Sequence, residues 1–127
     1  MEPVFLAKLI SQRNEWLSVR QTVTARNIAN ADTPGFKAKD VVDFKEFVAA
    51  TELAMAATNR NHLPSRRTTS SSTANVVREI EPDMKHSGNN VKMEHELVKA
   101  GEASRSFSMN ANVLKAFNRM FAMSVRG

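Results

Sequence analysis

Asn27-Ile28-Ala29-Asn30-Ala31-Asp32-Thr33-Pro34-Gly35-Phe36-Lys37 decides how this chain folds. Pro34 pushes Thr33 out of the helical region, so a helix upstream must stop here. Pro34-Gly35 then reads as the two central positions of a type II turn, where glycine takes positive φ without steric cost. Asn27 and Asn30 fall on the last turn of the upstream helix. Their amides are suited to bond backbone groups freed at its end. Phe36 is placed to fold back as an apolar anchor. The stretch therefore predicts a rigid elbow.

Upstream, from about Val4 to Asn30, Leu9, Trp16 and Val23 recur every seven residues. Ile10, Leu17 and Thr24 recur beside them, and Leu6 and Ile28 extend the stripe. Seven-residue recurrence marks a helix lying along another helix. Arg13 and Arg20 fall where further seam residues would sit, so the stripe is too polar to stand alone.

Downstream, the spacing predicts a second long helix from about Val91 to Val125. Asn90 reads as its N-cap, with Glu94 and Glu96 near the positive helix end. Met93, Ala100, Phe107, Leu114 and Phe121 form one column of period seven. Leu97, Ser104, Ala111, Asn118 and Val125 form the other. Phe117, Met120 and Met123 lie off this seam, so the last turns are apolar on more than one side and call for several neighbours.

The middle, 31–90, is mixed. Lys37 to Asp43 reads as extended. Asp43-Phe44-Lys45-Glu46 has capping-box spacing before a short helix from Phe44 to about Ala57. Phe47, Val48 and Met55 are its candidates for burial, and Asn59 and Pro64 end it. Arg66 to Ala74 is of low complexity and reads as an exposed, mobile loop. Val76 to Ile80 reads as a short strand, Pro82 as punctuation and Ser87-Gly88-Asn89-Asn90 as a polar turn. The expected fold is mainly α. Long N- and C-terminal helices (1–30 and 91–127) pair as an antiparallel coiled coil beside an irregular middle with a short helix and short β segments.

The 127 residues suit one domain, 1–127. Hydrophobic residues are 42% and mean hydropathy is −0.38, which points to a thin core or one shared with neighbours. The chain has no cysteine, which excludes disulfides and thiolate chemistry. Net charge is +5, but the cations are interleaved with Glu15, Asp40, Asp43, Glu46, Glu96 and Glu102. A nucleic-acid surface would need Lys and Arg on one face, so no nucleic-acid partner is expected. No segment approaches the ~20 apolar residues of a membrane span, so direct membrane insertion is not expected. The first residues do not read as a cleavable secretory signal.

His62, His86 and His95 have no i, i+4 pairing, so no metal is expected. The Ser/Thr run lacks a Gly-x-Ser-x-Gly frame, and Gly88 and Gly101 make no phosphate loop. No catalytic residue or cofactor is expected, and the chain does not read as an enzyme.

The Asn27 to Lys37 string resembles the N-terminal signature of the bacterial flagellar rod and hook proteins. In that family a long helix ends in an Asn-x-Ala-Asn-x-x-Thr-Pro-Gly-aromatic turn. Ser87-Gly88-Asn89-Asn90-Val91, followed by Met93, Glu94 and Glu96, is similar to the approach to the last helix in its short, cell-proximal rod members. Lys92 departs from the acidic residue usual there and opposes the helix macrodipole. The resemblance implies a structural subunit of the basal-body rod, in the periplasm, exported by the flagellar type III apparatus. It implies a homo-oligomer within a helical rod, with the adaptor FliE and the rod protein FlgC as neighbours. The residues expected to carry the signature and the assembly interface are Leu9, Trp16, Val23, Asn27, Asn30, Thr33, Pro34, Gly35, Phe36, Asn89, Asn90, Val91, Phe107, Leu114, Phe117 and Phe121.

Overall fold

The computed structural model describes residues 3–55, 76–80 and 88–127. The elements in chain order are α1 (Pro3–Ala29), β1 (Lys39–Val41), α2 (Phe44–Met55), β2 (Val77–Glu79) and α3 (Met93–Arg126). The fold is mainly helical, as expected, with a two-stranded sheet beside the helix pair. The stops at Asn59 and Pro64, the loop Arg66 to Ala74 and the punctuation at Pro82 lie outside the described residues, as does the side chain of Met55, whose burial was expected.

Helix α1 packs along α3 and also touches β1 and α2. The pairing is antiparallel. Asn110 donates its amide to Asn14 across the seam at 2.9 Å, and Asn27 donates to Glu96 at 3.0 Å. Residue 14 thus faces 110, while 27 faces 96. On α1 the column Ile10, Leu17 and Thr24 is buried, and Trp16 beside it is buried too, but Leu9 is exposed.

The seam on α3 differs from the expected one. Ala100, Phe107 and Leu114 of the first column are half-buried, whereas Phe121 is exposed. The second column, Leu97 to Val125, faces solvent. Its place is taken by Glu96, Ala103, Asn110 and Phe117, which recur at the same period. A hydrophobic pattern passes over this column because two of its members are polar. Here the polar members are satisfied across the seam and so can lie within it.

The core gathers Trp16, Leu17, Val42, Phe47, Val76 and Ala103, with Val19, Val41, Phe44 and Phe107 packed around it. Trp16 bridges layers: its indole N–H donates to the Val42 carbonyl at 2.8 Å, and its ring meets Phe44 edge-on. Arg13 and Arg20, the two apparent interruptions of the α1 stripe, lay their guanidinium groups 4.9 and 5.3 Å from the Trp16 ring centroid. They cover the aromatic rim while their charge stays partly hydrated.

Strands β1 and β2 pair antiparallel, with Lys39 opposite Glu79 and Val41 opposite Val77. Helix α2 begins at Phe44, where the Asp43 carbonyl accepts from the Phe47 N–H. Glu46, expected to close a capping box, pairs with Arg78 of β2.

Candidate assembly site

The turn after α1 has the expected form. The Phe36 N–H donates to the Thr33 carbonyl at 3.2 Å, and Gly35 takes φ +73°. A Cβ at Gly35 would meet nothing within 4 Å, so what demands glycine is the backbone conformation. Gly88 also has positive φ, +75°, and lies against Gly35. Two glycines of positive φ, more than fifty residues apart in sequence, thus lie against each other.

Four buried polar side chains lock this meeting. Asn89 donates its amide to the carbonyls of Asn30 (2.8 Å), Ala31 (3.1 Å) and Thr33 (2.8 Å). Its amide oxygen accepts the Val91 N–H. The carbonyls of the turn that follows α1 are therefore tied down by a residue nearly sixty positions away.

Asn90 sits at the open end of the two-stranded sheet. Its oxygen accepts the Ala38 N–H and its amide donates to the Ile80 carbonyl, so one side chain bridges the two groups left over beside the Ile80 N–H to Ala38 carbonyl bond. Asn27 reads both backbone groups of Lys39: its oxygen accepts the N–H and its amide donates to the carbonyl. It gives β1 what a further strand would give. Glu96, 2% exposed, receives the Asn27 amide and the Lys99 ammonium at 3.2 Å. Among the described residues, no buried side-chain nitrogen or oxygen is left without a partner.

Two expectations change here. Asn90 is not the N-cap of the last helix, which begins at Met93. Lys92 occupies the cap position in an extended conformation, and no side chain caps it. Asn90 is instead committed to the end of the sheet, so tertiary contacts replace the local cap. Lys92 accordingly precedes the first helical turn. Asn30 does bond its own helix end, donating to the Arg26 carbonyl at 2.8 Å. Asn27, expected to do the same, reaches past the turn to Lys39.

Beside the elbow runs a chain of ion pairs. Lys99 contacts Asp40 at 2.8 Å, and Arg20 lies 3.9 Å from Asp40 and 3.7 Å from Glu102. Burial of Lys99 opposes its charge. The hydrogen bond and charge of Asp40, then those of Glu96, outweigh that burial and hold its pKa above the ordinary lysine value.

The expected site residues fall into three groups. Asn27, Asn30, Thr33, Pro34, Gly35, Phe36, Asn89, Asn90 and Val91 come together at the elbow, where Val91 is fully buried. Trp16, Val23, Phe107, Leu114 and Phe117 lie buried or half-buried within the helix pair. Leu9 and Phe121 are exposed, 37% and 53%. Asn14, Asp40, Glu96, Lys99 and Asn110 were missed by sequence reading. For Glu96 and Asn110 the available signal was heptad spacing, disguised by polarity; Asn14, Asp40 and Lys99 carried none.

Nothing in this constellation is a reactive centre. Its polar atoms are consumed in joining backbone segments, which is the work of a structural joint, and the class it defines is that of a structural subunit. The comparisons with known proteins give the family. Residues 13–37 match the model described as "Flagella basal body rod protein", and residues 87–126 match "Flagellar basal body rod FlgEFG protein C-terminal". The chain is 45% identical to the flagellar basal body rod protein FlgB of Agrobacterium fabrum, over 99% of this chain and 96% of the relative. It is 33% identical to FlgB of Escherichia coli and of Salmonella typhimurium, over 75% of this chain and 74% of each relative. The chain belongs to the FlgB family of flagellar basal body rod proteins. It is a structural subunit of the flagellar basal body, assembles into the rod with other rod proteins and is not an enzyme.

Proposed function

We propose that the chain forms the cell-proximal part of the rod, between the adaptor FliE and the rod protein FlgC, after export by the flagellar type III apparatus. One observation carries this reading. The helix pair is locked at the elbow but leaves Val4, Phe5, Met120, Phe121 and Met123 exposed at its other end. Burying each such side chain stabilises an assembly by about 2 kcal/mol, so the pair is complete only among neighbours. Residues 1–127 act as one assembling domain. Leu9 and Phe121 are its contacts with other subunits, and the elbow residues set the angle at which the middle leaves the helix pair. A rod that transmits torque needs such a joint to be stiff.

The test is incubation of the purified chain with FliE and with FlgC, alongside complementation of a strain that lacks it. The expected result is binding to at least one of the two and rods restored by the wild-type chain. A folded monomer that binds neither, in cells whose rods form normally without it, overturns the reading.

A further inference from the structure

Helix α3 carries a second apolar stripe that its partner α1 does not cover. Met109, Val113, Ala116, Met120 and Met123 follow one another at alternating spacings of four and three, the seam pattern of a coiled coil. All five are exposed, with Met109 at 63% and Met120 at 58%. The stripe flanks the intramolecular seam, because Asn110 and Phe117 each directly follow one of its members. It spans fifteen residues, roughly 21 Å at the helical rise.

The charge beside it is of one sign. Arg105, Arg119 and Arg126 stand at multiples of seven, each within helical reach of Met109 or Met123. All three are exposed. From Ala103 to Gly127 the chain has four cations, these three and Lys115, and no Asp or Glu. Flanking charges decide which helix a seam accepts. An antiparallel second copy of this stripe would bring the arginine rows against each other, and a parallel copy would bring no anion to either. A lipid surface would call for a broader apolar face than this stripe, which is bounded on one side by α1 and on the other by the arginine row. Methionine, unbranched and polarisable, suits a partner helix of different sequence.

From this we propose that the Met109–Met123 stripe docks an amphipathic helix of a different chain, apolar along its seam and acidic along its flank. The proposal rests on the reading of this chain as a rod subunit and adds the chemistry of one neighbour.

The test uses the full-length chain and two labelled helical peptides with the same leucine seam, one with glutamate and one with lysine at the flanking positions. The glutamate peptide should bind, the lysine peptide should not, and binding should weaken as salt rises. The triple variant Arg105→Glu, Arg119→Glu, Arg126→Glu should weaken glutamate-peptide binding roughly tenfold or more and favour the lysine peptide. The neutral triple variant to Gln should lose the preference without reversing it. Circular dichroism confirms that both variants keep the helix pair. Equal affinity for the two peptides, tighter binding to phosphatidylglycerol vesicles than to the glutamate peptide, or self-association through the stripe would each overturn the proposal. Normal rods built from the triple-Glu variant would overturn it while leaving rod membership intact. Absence of the wild-type chain from rods would instead undo the underlying reading.

Discussion

At the elbow end of the helix pair, Asn27, Asn89, Asn90 and Glu96 are buried, and each has at least one polar partner distant in sequence. At the opposite end Val4, Phe5, Met120, Phe121 and Met123 stand in solvent. The usual distribution is inverted, with polar atoms inside at one end and apolar atoms outside at the other. Buried hydrogen bonds are directional and costly to leave unmade, so they specify a single geometry. Apolar surface is non-directional and rewards any neighbour that covers it. The elbow is the part that defines shape, and the tip is the part that recruits.

Substitutions can break that contrast in order of severity. Asn89→Leu should cost most, about 3 kcal/mol or more, because three carbonyls and the Val91 N–H lose one shared partner inside the protein. Urea unfolding at fixed slope checks this; a midpoint near wild type would show that water replaces the side chain. Gly35→Val should cost about 2 kcal/mol through positive φ alone. It should also abolish rod formation in cells while the chain is still made, so normal rods in that strain would remove the joint from the argument. Asn14→Leu should cost about 1 kcal/mol, since it leaves the Asn110 amide half-buried without its partner. Adding Asn110→Leu should recover most of that loss, and a double-mutant cycle measures the coupling.

The Lys99 pairs set a pH dependence. Its folded-state pKa is raised above 10.5, so its stabilisation is fully present below that pH and is lost as pH climbs through the raised value. Thermal melts across this alkaline window should fall more steeply for the wild type than for Lys99→Met. Parallel curves would show that Lys99 adds nothing to the elbow. The smallest effect on the monomer belongs to the tip: Met120→Ser with Phe121→Ser should change its stability by less than about 0.5 kcal/mol. The same pair should prevent incorporation into rods. Normal incorporation would mean that recruitment lies elsewhere.

How far the fold was legible follows the same division. The helix stop at Pro34, the type II turn, the start of α2 at Phe44 and the strand at Val77 all depend on local chemistry, and the sequence displays it. The Met and Phe surplus of the last turns was equally plain. The α3 seam was not, because Glu96 and Asn110 look like solvent residues until Asn27 and Asn14 are brought opposite them. Asn90 misled for a related reason. An asparagine before a helix is a good cap in isolation, but here the end of the two-stranded sheet offers it two backbone partners. Asn27 and Asn30, alike in sequence, separated in role because only one faces β1 and α3.

The elbow can also be viewed as a receptor that waits for its ligand. Residues 27–39 present a set of backbone carbonyls and N–H groups in a fixed array, and Asn89 and Asn90 fill it from the far side of the chain. The tether between them makes the encounter intramolecular, and its length adds only a modest closure entropy. If the array persists without its tenant, a segment beginning at Gly88 supplied as a separate molecule should find it, though far more weakly. The order of events along the chain would follow from the same fact: the last helix acquires a fixed starting point only after the first has ended and turned.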